Sequence, residues 1–205
     1  SIPSPCVFVT FILGIGMGNL SLQLLAIIPA NLAYGSWKLF TVGLLSYRGT
    51  VIAGNIIEMN AGPGVRIWSC ESATLSGNTI NENLDSGIHV LESELVTIQN
   101  NEIKRNSSET GGGLRLGRMA LGSVTVTQNT FDGNTARSSG GAIHMSECYL
   151  RIFANEFARN RAAAQGGAIY VSPGGQILDE EGNLLPIPDT CNSYTENKPD
   201  DIYYE

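Results

Sequence analysis

The chain contains a six-fold internal repeat in which two asparagines flank an apolar residue at a constant spacing. The pattern Asn-x-(Ile/Phe/Tyr)-x-x-Asn begins at Asn55, Asn78, Asn101, Asn129, Asn155 and Asn192. Successive repeats start 23, 23, 28, 26 and 37 residues apart. A period in this range is typical of a solenoid, in which each repeat forms one structural unit that stacks on the next.

Each repeat contains three short segments in which inward apolar residues alternate with other residues. Such alternation over a few residues predicts half-buried strands and not helices. Three strands per repeat, separated by corners rich in Gly and Asn, predict an all-β parallel β-helix of about six coils over residues 46–205. Its coils would stack at the ~4.8 Å spacing of neighbouring strands, so that equivalent asparagines could bond each other as an asparagine ladder.

Two repeats also carry a pair of tetrapeptides. Phe131-Asp132-Gly133-Asn134 precedes Gly140-Gly141-Ala142-Ile143, and Phe157-Ala158-Arg159-Asn160 precedes Gly166-Gly167-Ala168-Ile169. These FxxN and GGAI motifs resemble the repeats of the polymorphic outer-membrane proteins of chlamydiae. The resemblance implies a right-handed parallel β-helix of the pectate-lyase-like group, which includes surface adhesins and enzymes that act on polysaccharides. Fold analogy of this kind does not by itself determine an activity.

The composition excludes some classes of partner. The 205 residues include 12 Lys and Arg against 19 Asp and Glu, a net charge of −7, whereas nucleic-acid binding needs a basic face. No cluster of Cys and His has the spacing of a zinc site, and we expect neither a metal nor another cofactor. Cys70 and Cys148 fall three coils apart in one column, which is too far for a disulfide and predicts buried free thiols.

Residues 1–45 form a separate apolar segment ahead of the repeats. No charged residue precedes Lys38, and Val7–Ile28 supplies 22 uncharged residues, which as a helix would be long enough to cross a bilayer. Several glycines and the alternating stretch Leu20–Leu24 favour instead an apolar cap that covers the first coil. Membrane contact through residues 7–28 and a cap both stay open, whereas a cleavable signal sequence is disfavoured.

The last repeat is lengthened by residues 173–189. This stretch is acidic around Asp179–Glu181 and contains Pro186 and Pro188. We expect it to be a solvated loop insertion in the β-helix, followed by an atypical final coil that caps the solenoid.

One column of side chains, in the third strand of each coil, is the candidate functional site. The central residue of this strand is expected to point outward between two inward apolar neighbours. Along the stack this Arg/His/Tyr column contains Arg66, His89, Arg115, His144, Tyr170 and Tyr203. Arg and His can bond carboxylates and hydroxyls, and Tyr offers a flat face to a sugar ring. A linear uronate-bearing polysaccharide along this sheet is therefore a suitable ligand.

The same column is also compatible with a plain scaffold surface. Four glutamates lie just beyond the third strand and could neutralise the basic side chains: Glu71, Glu92, Glu94 and Glu147. The clustered carboxylates that calcium-dependent lyases and inverting hydrolases need cannot be assembled from the spacing.

These observations favour a non-catalytic β-helix used for adhesion, assembly or structural support at the cell surface or in another extracytoplasmic, membrane-associated complex. Its partners would be other protein subunits or cell-surface glycans. An alternative is an enzyme like the polysaccharide lyases and epimerases, with His89 or His144 as general base and Arg115 as the carboxylate clamp. A glycan-binding module that uses the same column without turnover is a further alternative.

Overall fold

The computed structural model describes residues 11–13, 22–24, 49–118, 123–184 and 191–205. Within these ranges the regular structure consists of 23 strands. From residue 49 onward each coil of the chain contributes one strand to each of three parallel sheets, which enclose a single core. The all-β parallel β-helix predicted from the repeat is confirmed.

The first sheet contains the first strand of every coil. Its members, in spatial order, are β3 (Thr50–Ala53), β6 (Ser72–Ser76), β9 (Leu95–Gln99), β13 (Ser123–Thr127), β17 (Tyr149–Phe153) and β21 (Gln176–Leu178). The second sheet contains β4 (Ile56–Glu58), β7 (Thr79–Asn81), β10 (Glu102–Lys104), β14 (Thr130–Asp132), β18 (Glu156–Ala158) and β22 (Ser193–Thr195). The third sheet contains β5 (Val65–Trp68), β8 (Ile88–Leu91), β12 (Leu114–Gly117), β16 (Ile143–Met145), β20 (Ile169–Val171) and β23 (Ile202–Tyr204). Six stacked strands per sheet correspond to about five full turns, close to the predicted six coils.

The core is built by the inward residues of the three sheets, which lie in register from coil to coil. In the second sheet Ile57, Ile80 and Ile103 occupy one column, which continues as Phe131, Phe157 and Tyr194. The rings of Phe131 and Phe157 stack with their centroids 5.0 Å apart, and those of Phe157 and Tyr194 with theirs 5.2 Å apart. A stack of similar side chains at strand spacing fills the interior without voids, which is why the repeat keeps an apolar residue between its asparagines.

Both predicted asparagine ladders are present. In every pair of neighbouring coils the side-chain amide of one asparagine donates to Oδ1 of the next, at 2.8–3.1 Å. The same Oδ1 also accepts the backbone N–H of the preceding asparagine, as in the 3.0 Å bond from Asn83 to Asn106. The ladder thus satisfies polar groups that the corners bury.

In the corners, the asparagines of the repeat are not the residues that adopt the left-handed conformation. The left-handed conformation is adopted by the residue before each second asparagine of the repeat, at Met59, Glu82, Arg105, Gly133, Arg159 and Glu196. This residue turns the chain, and the asparagine that follows it points its amide into the ladder. Short polar side chains are tolerant of the left-handed region, but here the asparagine is needed for its hydrogen bonds.

Two pieces of the fold were not predicted. A small three-stranded sheet, β11 (Ser107–Ser108), β15 (Thr135–Ala136) and β19 (Arg161–Ala162), lies between the second and third sheets of the middle coils. Strand β21 lies inside residues 173–189, where only a loop was expected. Its single inward residue, Ile177, is 1% exposed, and one apolar residue among polar neighbours leaves no alternation to recognise.

Strands β1 (Phe11–Leu13) and β2 (Leu22–Leu24) form an antiparallel pair, and β2 lies beside β3. The apolar cap over the first coil stays a prediction. Most of Val7–Ile28 lies outside the described residues, so the membrane anchor stays a prediction. In the described ranges no helix has the length and apolar character needed to cross a membrane.

Candidate functional site

The six residues of the Arg/His/Tyr column lie next to one another on the outward side of the third sheet. The sheet register pairs each member with the next, in the order Arg66, His89, Arg115, His144, Tyr170 and Tyr203. The backbone neighbours of the first five members are core residues. In β12, for example, Leu114 and Leu116 are almost completely buried while Arg115 is exposed. Alternation along each strand therefore positions the column, as predicted.

The column is more buried than an open sheet face would be. His89 and Tyr170 each retain only 7% exposure, and Arg66, His144 and Tyr203 are half-buried. Long side chains stacked at strand spacing cover one another, so that the shorter imidazole of His89 is enclosed between its arginine neighbours.

The C-terminal half of the column is an aromatic stack. The His144 and Tyr170 rings have centroids 5.0 Å apart with 21° between their planes, and Tyr170 and Tyr203 follow at 5.7 Å and 4°. The Tyr170 hydroxyl donates a short hydrogen bond to Oε2 of Glu205. This bond, followed by burial, raises the pKa of Tyr170 to about 12.

Both imidazoles are held in the neutral form. Burial lowers the pKa of His89 to about 4, and the nearby positive charges of Arg115 and Arg66 add to this effect. Burial likewise lowers the pKa of His144 to about 4, with Arg115 again contributing. Desolvation and like charge both disfavour an imidazolium, so the two histidines act as hydrogen-bonding groups and not as cations near pH 7.

Several buried polar atoms of this column have no hydrogen-bond partner among the described residues. They are Nε of Arg66, both ring nitrogens of His89 and Nδ1 of His144. Buried polar groups in native proteins are normally paired, and each exception calls for a reason such as a binding role. Four such nitrogens on three side chains of one column make it the strongest candidate for a binding site in the part of the chain that the structure describes.

One of the flanking glutamates bonds residues outside the column. Glu92 forms an ion pair with Arg118 at 3.7 Å and accepts the indole N–H of Trp68 at 2.8 Å. Within the described ranges no ion pair involves Arg66 or Arg115.

A second outward column runs beside the first and was missed by the sequence analysis. Trp68 lies two residues after Arg66 on the same face of β5, is 44% exposed, and pairs in register with Leu91. Leu91 in turn pairs with Gly117. The sequence does contain a signal for this column. Its residues lie two positions after the members of the Arg/His/Tyr column, where alternation along the third strand predicts the next outward side chain.

Metal ligands and thiols do not cluster at this site. No group of three His, Cys, Asp or Glu side chains that could hold a metal occurs among the described residues. Cys148 is a buried free thiol whose pKa is raised to about 12 by burial. Cys70 is buried as well, and no disulfide joins the two, as the coil spacing predicted.

Comparison with known protein families agrees with the fold. The family model described as a right handed beta helix region matches residues 36–182, which is most of the chain. No curated protein and no solved structure matches the sequence significantly. The narrower resemblance to the polymorphic outer-membrane protein repeats stays a prediction.

Proposed function

Because the chain belongs to the right-handed β-helix family, we propose that it is a non-catalytic binding protein that uses the Arg/His/Tyr column to hold a linear, carboxylate-bearing glycan. Attachment to such a glycan serves adhesion at a cell surface or another extracytoplasmic site. The family itself includes no single activity that would decide this, so the proposal depends on the chemistry of the column.

The observation that carries the proposal is the set of unpaired polar groups in one straight row. Two guanidinium groups that form no ion pair with a described residue, at Arg66 and Arg115, alternate with the neutral imidazoles of His89 and His144. The carboxylates of a ligand would pair with the two guanidinium groups. Charge-assisted hydrogen bonds of this kind give both affinity and orientation.

The shape of the column supports a linear polymer over a compact ligand. The six members follow one another at strand spacing, ~4.8 Å per coil, and the row ends in the flat rings of Tyr170 and Tyr203. Aromatic faces suit the apolar faces of sugar rings, and arginines suit carboxylates. A glycan that lies across the coils contacts both kinds of group.

The test is calorimetric titration of the protein with carboxylated oligosaccharides, namely oligogalacturonate and hyaluronan hexasaccharides. We expect saturable binding by the wild type and a loss of at least about tenfold in affinity for Arg115→Ala, as for the removal of a charged hydrogen-bond donor. Arg161→Ala is the matched control, because Arg161 is exposed on β19, away from the column. Absence of binding to every carboxylated glycan, or equal losses in the two variants, would refute the proposal.

A second candidate function is elimination from, or epimerisation of, a uronate polymer. The observation in its favour is the neutral imidazole of His144 directly beside the Arg115 guanidinium, a pairing of proton acceptor and carboxylate clamp. Against it, a pKa of about 4 makes either histidine a weak base at neutral pH. Ultraviolet absorbance detects the unsaturated uronate ends that elimination forms. If the protein forms such ends and a His89→Ala/His144→Ala variant does not, the protein is an enzyme and not only a binding protein.

We also propose that the protein is located at a membrane surface, where it would hold the glycan. Its support is the uncharged segment of residues 7–28. Detergent partitioning of the whole chain, compared with a shortened chain that begins at Tyr47, tests it. Partitioning of the whole chain alone supports an anchor, whereas failure of the shortened chain to fold supports a cap.

A further inference from the structure

We propose that the Arg/His/Tyr column selects a linear glycan with one carboxylate in every second sugar, and disfavours polymers in which every sugar is a uronate. This inference rests on the proposed function and adds the class of ligand. It follows from the order of side chains along the third sheet, in which guanidinium and imidazole groups alternate over four successive coils.

The alternation is strict in register. Arg66 pairs with His89, His89 with Arg115, and Arg115 with His144. Neighbouring coils are ~4.8 Å apart, so the two arginines are separated by ~9.6 Å along the stack. One pyranose unit of an extended chain is close to one strand spacing in length. A ligand laid along the coils therefore meets a cation at every second sugar.

The histidine positions are poor places for a carboxylate. His89 is 93% buried, given its 7% exposure, and both of its ring nitrogens are unpaired. Its imidazole is neutral near pH 7, because burial and the two arginines lower its pKa to about 4. Both nitrogens of the ring are buried, so it offers a ligand on the sheet surface neither a cation nor an accessible hydrogen-bonding atom. Such a position does not compensate a carboxylate for the water that it loses on binding.

The arginine positions have the opposite preference. Neither Arg66 nor Arg115 forms an ion pair with any residue in the described ranges. The guanidinium fork bonds a carboxylate with two parallel N–H groups, which is geometrically specific. A carboxylate is therefore attracted at the arginine coils and is left uncompensated at the histidine coils. This difference discriminates between glycans of equal length that carry their carboxylates at different intervals. Beyond His144 the column is aromatic, so the charge pattern covers about four sugars.

The experiment compares three hexasaccharides by isothermal titration calorimetry with the whole protein. A hyaluronan hexasaccharide carries one carboxylate per disaccharide, hexagalacturonate carries one on every sugar, and chitohexaose carries none. We expect hyaluronan to bind about tenfold more tightly than hexagalacturonate, although the latter has twice its charge, and chitohexaose to bind most weakly. Low salt would favour hexagalacturonate by simple attraction, so the comparison is made at physiological ionic strength.

The variant His89→Arg tests the stated cause. A third guanidinium between Arg66 and Arg115 compensates the extra carboxylate, and we expect the preference for hyaluronan to fall to below about threefold. Thr125→Arg is the matched control, because it adds the same charge on the outward side of β13, in the first sheet, and should keep the preference. His89→Gln, which stays neutral, should keep it as well.

The outcomes separate this inference from the proposed function. If hexagalacturonate binds as tightly as hyaluronan or more tightly, the alternating ligand class is refuted while binding of a carboxylated glycan stands. If neither carboxylated hexasaccharide binds, both ideas fail. The wild-type comparison decides the matter even if His89→Arg does not fold, which circular dichroism of the variant would reveal.

Discussion

The imidazole ring of His144 stacks on the phenol ring of Tyr170, with the ring centroids 5.0 Å apart and 21° between the planes. This contact joins the cationic half of the Arg/His/Tyr column to its aromatic half. It places a neutral, polar ring between Arg115 on one side and a hydrogen-bonded tyrosine on the other. The column is thereby a continuous surface whose chemistry changes along the stack.

Lowering the pH is expected to destabilise the protein through the two histidines. Between the ordinary pKa of 6.5 and the folded-state pKa of about 4, the unfolded chain binds protons that the folded column excludes. The free energy of unfolding therefore falls as the pH drops through this range, by about 2 kcal/mol for each histidine between pH 7 and pH 5. Urea denaturation at several pH values measures the loss.

The variant His89→Gln/His144→Gln identifies the source of that pH dependence. It cannot take up the protons, so its stability should change less between pH 7 and pH 5 than that of the wild type. Asp85 and Glu205 lie near the two imidazoles and oppose the shift, and both are unchanged in this variant. An unchanged pH slope in the variant would show that the histidines are not responsible.

Tyr170 is expected to ionise at unusually high pH. Its hydrogen bond to Glu205 is the main reason why its pKa rises from 10.0 to about 12, since the bond is lost when the phenol loses its proton. Glu205→Gln should return the pKa towards 10, as measured by ultraviolet absorbance of the phenolate. Tyr170→Phe assigns the transition by removing it. The assignment to Glu205 is wrong if Glu205→Gln leaves the titration unchanged.

Replacement of Asn106 by alanine is expected to cost about 3 kcal/mol of stability. Asn106 is fully buried, accepts bonds from the side chain and backbone of Asn83 at 2.8 and 3.0 Å, and donates to Asn134 at 3.0 Å. The alanine leaves these buried groups without partners. Chemical denaturation gives the loss.

Asn81→Ala is the matched control for the ladder. Asn81 bonds Glu58 near the surface at 3.2 Å and takes no part in either ladder. Its replacement should change the free energy of unfolding by less than about 0.5 kcal/mol. Similar losses in the two variants would mean that the ladder contributes no more than an ordinary surface contact.

Gly113→Ala is expected to destabilise the corner before β12. An added Cβ would lie 2.8 Å from the Ala142 carbonyl oxygen and 2.8 Å from the Phe131 ring, both in the next coil. Neighbouring coils would have to separate locally, at a cost of about 1–3 kcal/mol. In Gly62→Ala the new methyl would meet no atom within 4 Å, so its thermal unfolding temperature should stay near that of the wild type. Equal shifts for the two variants would contradict the close approach of the coils.

Prediction from the sequence succeeded where the structure repeats itself. The spacing of Asn78, Asn101 and their equivalents implies the register of the second sheet, because each side-chain amide bonds the equivalent amide one coil away. The alternation Ile88-His89-Val90 likewise implies which side chain points outward. The Arg/His/Tyr column follows from these two facts.

Prediction failed where a local segment carries no period. Strand β21 has a single inward residue, Ile177, and forms because β17 offers a paired edge beside it. The two-residue strands of the small sheet are likewise templated by their neighbours in adjacent coils. Strands stabilised mainly by non-local pairing have little sequence signal of their own.

The sequence alone determined the parallel β-helix, its asparagine ladders and the order of side chains in the Arg/His/Tyr column, because all three repeat with the coil. Only the tertiary structure decided how deeply His89 is enclosed, that Arg66 and Arg115 keep no ion pair within the described residues, and that Tyr170 bonds Glu205. Burial and hydrogen bonding depend on side chains that are distant along the chain and meet only after the coils have stacked. These contacts set the pKa values and the unpaired groups on which the proposed binding depends.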